Sequence, residues 1–468
     1  MNRLVYILIT IILVIFLCAY LSFRQDDAYI FYSYAKNIAE GNGYVFNLGE
    51  KVNATTSPLY TLLLAALYLL IKPFATESLH VIGIIISVIS ILIVLLLMKK
   101  ILADRKLYEY CALIFLCLPL LKFGFGMETF LNLALITASV YFFVQNKLII
   151  SSIFAGLSIL ARLDSVLFAG TLFLIYVSEY KKFPSLKVVF IFLITVLPWF
   201  IFSYFYFDSL LPTTIGVKLS QNQFDMHGTG LIFIKGFFSV LPGRLISAIF
   251  LMTGLIFSLV YLYRKKIKLT ANPGIKIILI WSLLLFLIYA FILNAPYYQW
   301  YYTPFALSSS VLLSYTLHDL FNKDHYRKLI FILLFLIALI LPLKTYYEGF
   351  NPKYINYYNA ASWLNENIRD NSVLGVDEIG IMGYYYRKGR IIDALGLVTP
   401  EVVPHLSKKE FIWYIEIFSP DYIVNDFPIV QAHAGGSEKE FFDKYEMIKI
   451  FQARNEKIAI YKKRIVRE

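Results

Sequence analysis

Arg24-Gln25-Asp26-Asp27-Ala28-Tyr29-Ile30 begins where an apolar run, Leu4 to Phe23, ends. A helix of that length crosses a bilayer core of about 30 Å, so two adjacent carboxylates stand at the lip of a membrane helix. Charge is costly beside hydrocarbon, and ionisable residues in such places default to a functional reading. The plainer alternative is a pair of solvated loop charges just past a helix end. Further apolar runs follow near 78–98, 107–122, 129–145, 148–162, 165–179, 188–206, 245–263, 276–293, 303–320 and 328–345. The 468-residue chain is 59% hydrophobic and only 16% charged. It reads as a polytopic α-helical membrane protein with about 11 transmembrane helices. The first run is too long for a signal peptide, and no small-residue cleavage site follows it.

The formal net charge of +12 fits the positive-inside bias of a membrane protein better than an affinity for nucleic acid. Arg3, Lys99, Lys100, Arg105, Lys106, Lys147, Lys181, Lys182, Lys187, the cluster from Arg264 to Lys276, Lys323, Arg327 and Lys328 fall into alternate loops. All of them are cytoplasmic if the amino terminus is. That parity holds only if Pro58–Ile71 does not span, and its short run suits a helix lying in the outer interface. Ala28–Glu40 reads as a second interfacial helix, capped by Asp27 and ended by Gly41, with Tyr29, Tyr32 and Ile38 on its apolar side.

The carboxyl terminus then lies outside. From Tyr346 the composition turns polar, over a length sufficient for a small domain. A helix at Ala360–Ile368 and short strands at Val373–Val376, Ile391–Ile392, Tyr422–Val424 and Ile458–Tyr461 predict an α/β fold. The chain therefore divides into a transmembrane domain, 1–345, and an extracytoplasmic α/β domain, 346–468, in the cytoplasmic (plasma) membrane.

The outer loops hold the polar residues that a plain scaffold would not need. These are Asp26, Asp27 and Asn53 to Pro58; Gly126-Met127-Glu128-Thr129; Arg162-Leu163-Asp164; Leu211 to Thr214 with Lys218; and Asn294 to Tyr302. Each has a bland reading. Arg162 and Asp164 suit a structural ion pair at a hairpin, Glu128 is favoured by a helix dipole, and Tyr301 and Tyr302 suit an interfacial aromatic belt. Their convergence on one face favours a polar cavity at the outer interface. The three cysteines lie in or beside apolar runs and read as packing residues, and the six histidines show no ligand spacing. No phosphate-cradling glycine loop with a Walker lysine appears. Carboxylates with a lysine and an arginine suit deprotonation of a hydroxyl while a phosphate leaves. The departing charge needs a basic side chain or a divalent metal held by carboxylates.

At these residues the sequence resembles the GT-C glycosyltransferases, nearest their AftB-like branch of arabinofuranosyltransferases and related mannosyltransferases. The first loop carries the most specific part: Asp26-Asp27-Ala28-Tyr29-Ile30, Asn37, Gly41-Asn42-Gly43, Val45-Phe46-Asn47, Gly49-Glu50 and Thr56-Ser57-Pro58-Leu59. Weaker matches follow in order: Gly126 to Thr129, Arg162 to Asp164, Leu211 to Thr214 with Lys218, Tyr301-Tyr302, Gly380, Gly383 to Tyr385, and Ile392-Asp393 with Gly396-Leu397. The resemblance implies a polyprenyl-phosphate sugar donor, a cell-envelope glycan, glycolipid or protein acceptor, and an inverting transfer in one displacement. Carried over by position, it makes Asp26 the base and Asp27 a residue that positions the acceptor or helps to hold a metal. Glu128, Asp164, Tyr301 and Tyr302 become substrate-binding residues, with Arg162 and Lys218 for the donor phosphate. A divalent cation (Mg, Mn or Ca) would sit at Asp27 and Glu128. Leu163 before Asp164, Thr213 in place of an asparagine, and the lack of an arginine near Trp300 depart from the branch, so the resemblance specifies neither sugar nor acceptor. Two other classes fit lipid-linked substrates: a transporter or flippase, expected to carry broken mid-membrane helices, and an oligosaccharide ligase.

Overall fold

The computed structural model describes residues 2–464 apart from 76, 224–230, 241–243, 268, 294, 296, 322, 409, 411 and 427–437. Asn294, Pro296 and Lys268, singled out above, lie outside the described residues. The chain is mostly helical, with a small sheet near its end. Its first helices are α1 (Asn2–Tyr20), α2 (Asp26–Ala39), α3 (Pro58–Ile71), α4 (Leu79–Leu102), α5 (Arg105–Cys117), α6 (Thr129–Val144) and α7 (Leu148–Ala161). There follow α8 (Val166–Tyr180), α9 (Leu186–Phe207), α10 (Thr213–Gln223), α11 (Ile232–Val240), α12 (Arg244–Arg264), α13 (Pro273–Leu287), α14 (Phe305–Leu320) and α15 (Asp324–Glu348). The tail adds α16 (Pro352–Asn367), α17 (Ile379–Tyr385), α18 (Val403–Ser407), α19 (Trp413–Phe418) and α20 (Glu438–Lys444).

Among the described residues, 7 helical stretches are long and apolar enough to cross a membrane, from Arg3–Tyr20 to the stretch beginning at Asp324. The expected runs at 107–122, 129–145, 148–162 and 303–320 lie on shorter helices of 13, 16, 14 and 16 residues. Proline explains the shortest. Pro119 lacks an amide and disfavours helical backbone at Leu118, which is extended (φ −69°, ψ 129°), and a tighter turn of helix, Pro119–Gly124, replaces the rest of the run.

The described residues form two compact units. The helical unit comprises Met1–Ser22, Gly83–Trp199 and Thr229–Glu348. Within it α5 packs on α14 and α15, and α1 packs along α15. α6 and α7 form an antiparallel pair in which the Ser139 and Ser151 hydroxyls each donate to the other's carbonyl at 2.9 Å.

The composite unit comprises Phe23–Ile82, Phe200–Gly228 and Gly349–Glu468. The tail thus clusters with the first loop, which a cut at residue 345 assigns to the membrane body. At its centre α2 packs on α3 and α17. Gln25, in extended backbone, precedes α2; Asp26 and Asp27 occupy its first turn, so Asp27 is not its cap. Glu40 and Gly41 (φ +84°) end it, as expected. An interfacial α2 would show one apolar side. Instead Tyr29, Ile30, Phe31, Tyr32, Tyr34 and even Lys36 are buried, because neighbours cover nearly every side. α3 begins and ends at the expected residues, with Pro58 at its first position, where a missing amide costs nothing.

The tail's sheet has five strands: β1 (Leu374–Val376), β2 (Ile391–Asp393), β3 (Tyr422–Asp426), β4 (Tyr445–Ala453) and β5 (Glu456–Lys463), in the order β2-β1-β3-β5-β4. β1 is parallel to β2 and β3, while β5 runs antiparallel to β3 and β4. α16 packs on β4 and β5, and Ile392, Tyr414, Ile423, Phe441, Tyr445 and Tyr461 are part of the core.

After β2 the chain turns around Asp393, which is fully buried. Its carboxylate accepts the amides of Leu395 (2.8 Å), Leu397 and Val398 (3.1 Å), and its own amide donates to Thr399 Oγ1. Burial pushes this carboxyl up to about 6, against the opposite pull of the amides. Below roughly pH 4 the group is protonated both folded and unfolded; up to about 6 only the folded chain keeps the proton. The folded state binds more protons in that window, so stability falls as pH rises through it, by roughly 2–3 kcal/mol in all. Hydrogen exchange of β1–β3 amides in detergent-solubilised protein is expected to slow as pH-corrected opening becomes rarer below about pH 6. In Asp393→Asn this dependence should flatten.

Candidate active site

The predicted site residues divide between the two units. In the helical unit, Glu128 precedes α6 and Arg162 follows α7 in extended backbone, both buried. Arg162 Nη1 donates to Glu128 Oε1 at 2.7 Å; Nη2 donates to Asp164 Oδ2 at 2.6 Å, and Nε reaches the same carboxylate at 3.1 Å. The Tyr289 hydroxyl also donates to Asp164 Oδ2. The guanidinium lies over the Tyr301 ring, 5.5 Å from its centroid. So Arg162, Glu128, Asp164 and Tyr301 come together, but the guanidinium is already shared between two carboxylates. A phosphate would compete with both. The geometry is that of a buried ion triad, the structural reading of Arg162 and Asp164 extended by Glu128.

Tyr302 does not join this group: it is buried, donates to the Phe233 carbonyl at 2.6 Å and stacks on the Phe233 ring at 4.7 Å. Tyr289 was not singled out by the sequence. It sits in a π-helical turn, Ile288–Ile292, inside an apolar run that gives no sign of a polar contact. Among the described residues, no cluster of three or more His, Cys, Asp or Glu side chains is disposed to hold a metal. Glu128 gives one carboxylate oxygen to Arg162.

In the composite unit, Asp26 is buried and each of its oxygens accepts an amide from α17: Gly380 N to Oδ2 at 2.8 Å and Ile381 N to Oδ1 at 2.7 Å. Burial, with Glu378 and Asp27 adding their charge, holds this carboxyl well above the usual range, while the two amides oppose the shift. A Cβ at Gly380 would land on the Asp26 carbonyl oxygen, and one at Gly383 on the Phe46 ring. Asp27, next along α2, is partly exposed. Lys218 is partly exposed on α10, a helix packed on α18.

Other residues of the first-loop pattern hold backbone in this unit. Asn37 donates to the carbonyls of Val45 and Phe46 at 2.8 and 2.9 Å. Asn47 exchanges hydrogen bonds with both backbone groups of Ile391 at 2.9 and 3.0 Å. Glu50 pairs with Arg390. Thr213 and Thr214 donate to the carbonyls of Asn53 and Ala54 at 3.1 and 2.7 Å.

Residues 346–462, from just before α16 almost to the end of β5, match a family model described as a domain of unknown function (DUF8728). No curated protein matches the chain.

If the triad is a closed structural unit, Arg162→Gln strands the buried Glu128 and the partly buried Asp164 and should cost about 3–5 kcal/mol. Glu128→Gln leaves Arg162 its bonds to Asp164 and should cost about 1–3 kcal/mol. Thermal unfolding in detergent, followed by circular dichroism, orders the two variants. Equal melting of Arg162→Gln and wild type would refute the closed triad.

Proposed function

We propose that this chain is an inverting, GT-C-type membrane glycosyltransferase. It moves a sugar from a polyprenyl-phosphate donor to a hydroxyl of a cell-envelope glycan, glycolipid or protein at the outer face of the plasma membrane. In this reading about 11 helices span, the amino terminus is cytoplasmic and the tail lies outside. The long apolar helices support the membrane setting, and the exposed Leu62, Leu69 and Leu70 of α3 suit a helix facing the lipid interface.

The observation that carries the proposal is the Asp26-Asp27 pair. It opens a buried helix within a few residues of the first membrane-length helix, with one carboxylate fixed by two amides and its neighbour partly exposed. This geometry favours Asp27 as the base and Asp26 as the residue that positions it, the reverse of the roles carried over from the family. The acceptor oxygen attacks the anomeric carbon on the face opposite the phosphate, and Asp27 takes the hydroxyl proton. The bond from the anomeric carbon to the phosphate oxygen breaks, and its electron pair departs on the polyprenyl phosphate. One displacement inverts the centre. Lys218 is the proposed compensating charge in the same unit; no step passes through a metal.

Purified protein in nanodiscs is offered polyprenyl-phosphate sugars and crude envelope acceptors. Asp27→Asn should lower transfer by at least about 100-fold, the lower range for loss of a general base, and leave the melting temperature near wild type. Asp26→Asn puts an amide group against backbone donors and should destabilise by about 1–3 kcal/mol, with transfer largely kept wherever the variant is folded. A dead Asp26→Asn beside an active Asp27→Asn reverses the two roles. Neither transfer nor sugar release by wild type with any donor overturns the proposal.

A further inference from the structure

Arg24 follows α1 by four residues and precedes Asp26 by two, and its side chain is half-buried. Its hydrogen-bond and cation–π partners lie in the composite unit. Nη1 donates to the Tyr385 hydroxyl at 2.8 Å, and the guanidinium sits 4.8 Å from the centroid of the Phe350 ring. Around Tyr385 the rings of Tyr29, Tyr384 and Tyr358 pack at 5.9, 4.9 and 4.8 Å. No carboxylate pairs with Arg24 among the described residues, and Nε and Nη2 have no protein partner there.

This contrasts with Arg162, each of whose three guanidinium nitrogens donates to a carboxylate. It also differs from an arginine that merely snorkels from a helix end into water, because a hydroxyl and a ring fix the orientation of this guanidinium. An oriented, uncompensated planar cation with two N–H groups to offer is suited to bidentate recognition of phosphate. Its place just beyond a membrane-length helix is the level at which lipid phosphates lie.

We propose that Arg24, oriented by Tyr385 and Phe350, binds the phosphate of a polyprenyl-phosphate lipid. The assignment rests on the glycosyltransferase reading for its choice of lipid and adds a cation that the sequence pattern did not mark. The phosphate itself is the shared chemistry of a lipid-linked donor and a free anion.

The test measures binding to the full chain in phosphatidylcholine nanodiscs by isothermal titration, with farnesyl phosphate, farnesol and inorganic phosphate as probes. Wild type should bind farnesyl phosphate at least about tenfold more tightly than farnesol, as expected for one or two charge-assisted hydrogen bonds. Arg24→Gln should erase that difference and leave farnesol binding unchanged. Tyr385→Phe keeps the cation, removes only the hydroxyl that orients it, and should weaken farnesyl phosphate a few-fold; it serves if Arg24→Gln does not fold. Unchanged binding by the folded Arg24 variant, or by Tyr385→Phe where that variant stands in, overturns the proposal. Inorganic phosphate binding as tightly as farnesyl phosphate overturns the lipid assignment. Arg24-dependent binding without sugar transfer from any donor would remove the glycosyltransferase reading and leave the phosphate site standing.

Discussion

The composite unit depends on one buried carboxylate. Asp26 receives the amides of Gly380 and Ile381 across 354 and 355 residues of sequence, and neither side is tolerable without the other. A buried carboxyl with no partner would cost about 1–3 kcal/mol, and so would each amide facing an apolar neighbour. Closing so long a loop carries an entropic cost that rises only slowly with length. The approach is close enough that Gly380 admits no side chain. The loop after the first helix and the tail are therefore expected to order together, not one upon the other already formed. α2 can be buried on nearly every side only because the tail supplies α17 as a cover.

This dependence explains what the sequence disclosed and what it hid. Period and length were legible: α3 runs from Pro58 to Ile71 as expected, Gly41 ends α2, and β1, β2, β3 and β5 lie where β-branched clusters sit between turns. β4 was missed because it is a mostly exposed edge strand, and Glu446 and Lys449 interrupt its apolar pattern. The nature of α2 was hidden for a different reason. Tyrosines bury their rings and still bond through their hydroxyls, so a helix rich in Tyr looks amphipathic in sequence although it is enclosed. The discontinuous unit could not be read at all, since composition changes at Tyr346 while packing joins the tail to residues 23–82.

The candidate site divides along the same line. Arg162, Glu128 and Asp164 were legible as a polar group, and the structure unites them, but with net charge −1 and the cation fully engaged. Asn37, Asn47 and Glu50 carried much of the resemblance, and each holds backbone or a counter-ion within the composite unit. A pattern of this kind reports a fold at least as much as a reaction. Loops that close on a tail through side-chain-to-backbone bonds need the same few residue types whatever chemistry they surround.

What distinguishes chemistry from scaffold here is whether a polar group's capacity is spent. Both oxygens of Asp26 are occupied, and every guanidinium nitrogen of Arg162 has a carboxylate partner. Arg24 keeps two donor groups uncommitted in the same unit as Asp27, the partly exposed member of the acidic pair. Catalysis of phosphate departure requires a cation that strengthens its bonds as negative charge develops, and a guanidinium already satisfied by carboxylates has little left to gain. A cation oriented by neutral partners, a phenol and a phenyl ring, keeps its field for the substrate. By that criterion Arg24 is the cation with capacity left, whereas each guanidinium nitrogen of Arg162 is already bonded to a carboxylate.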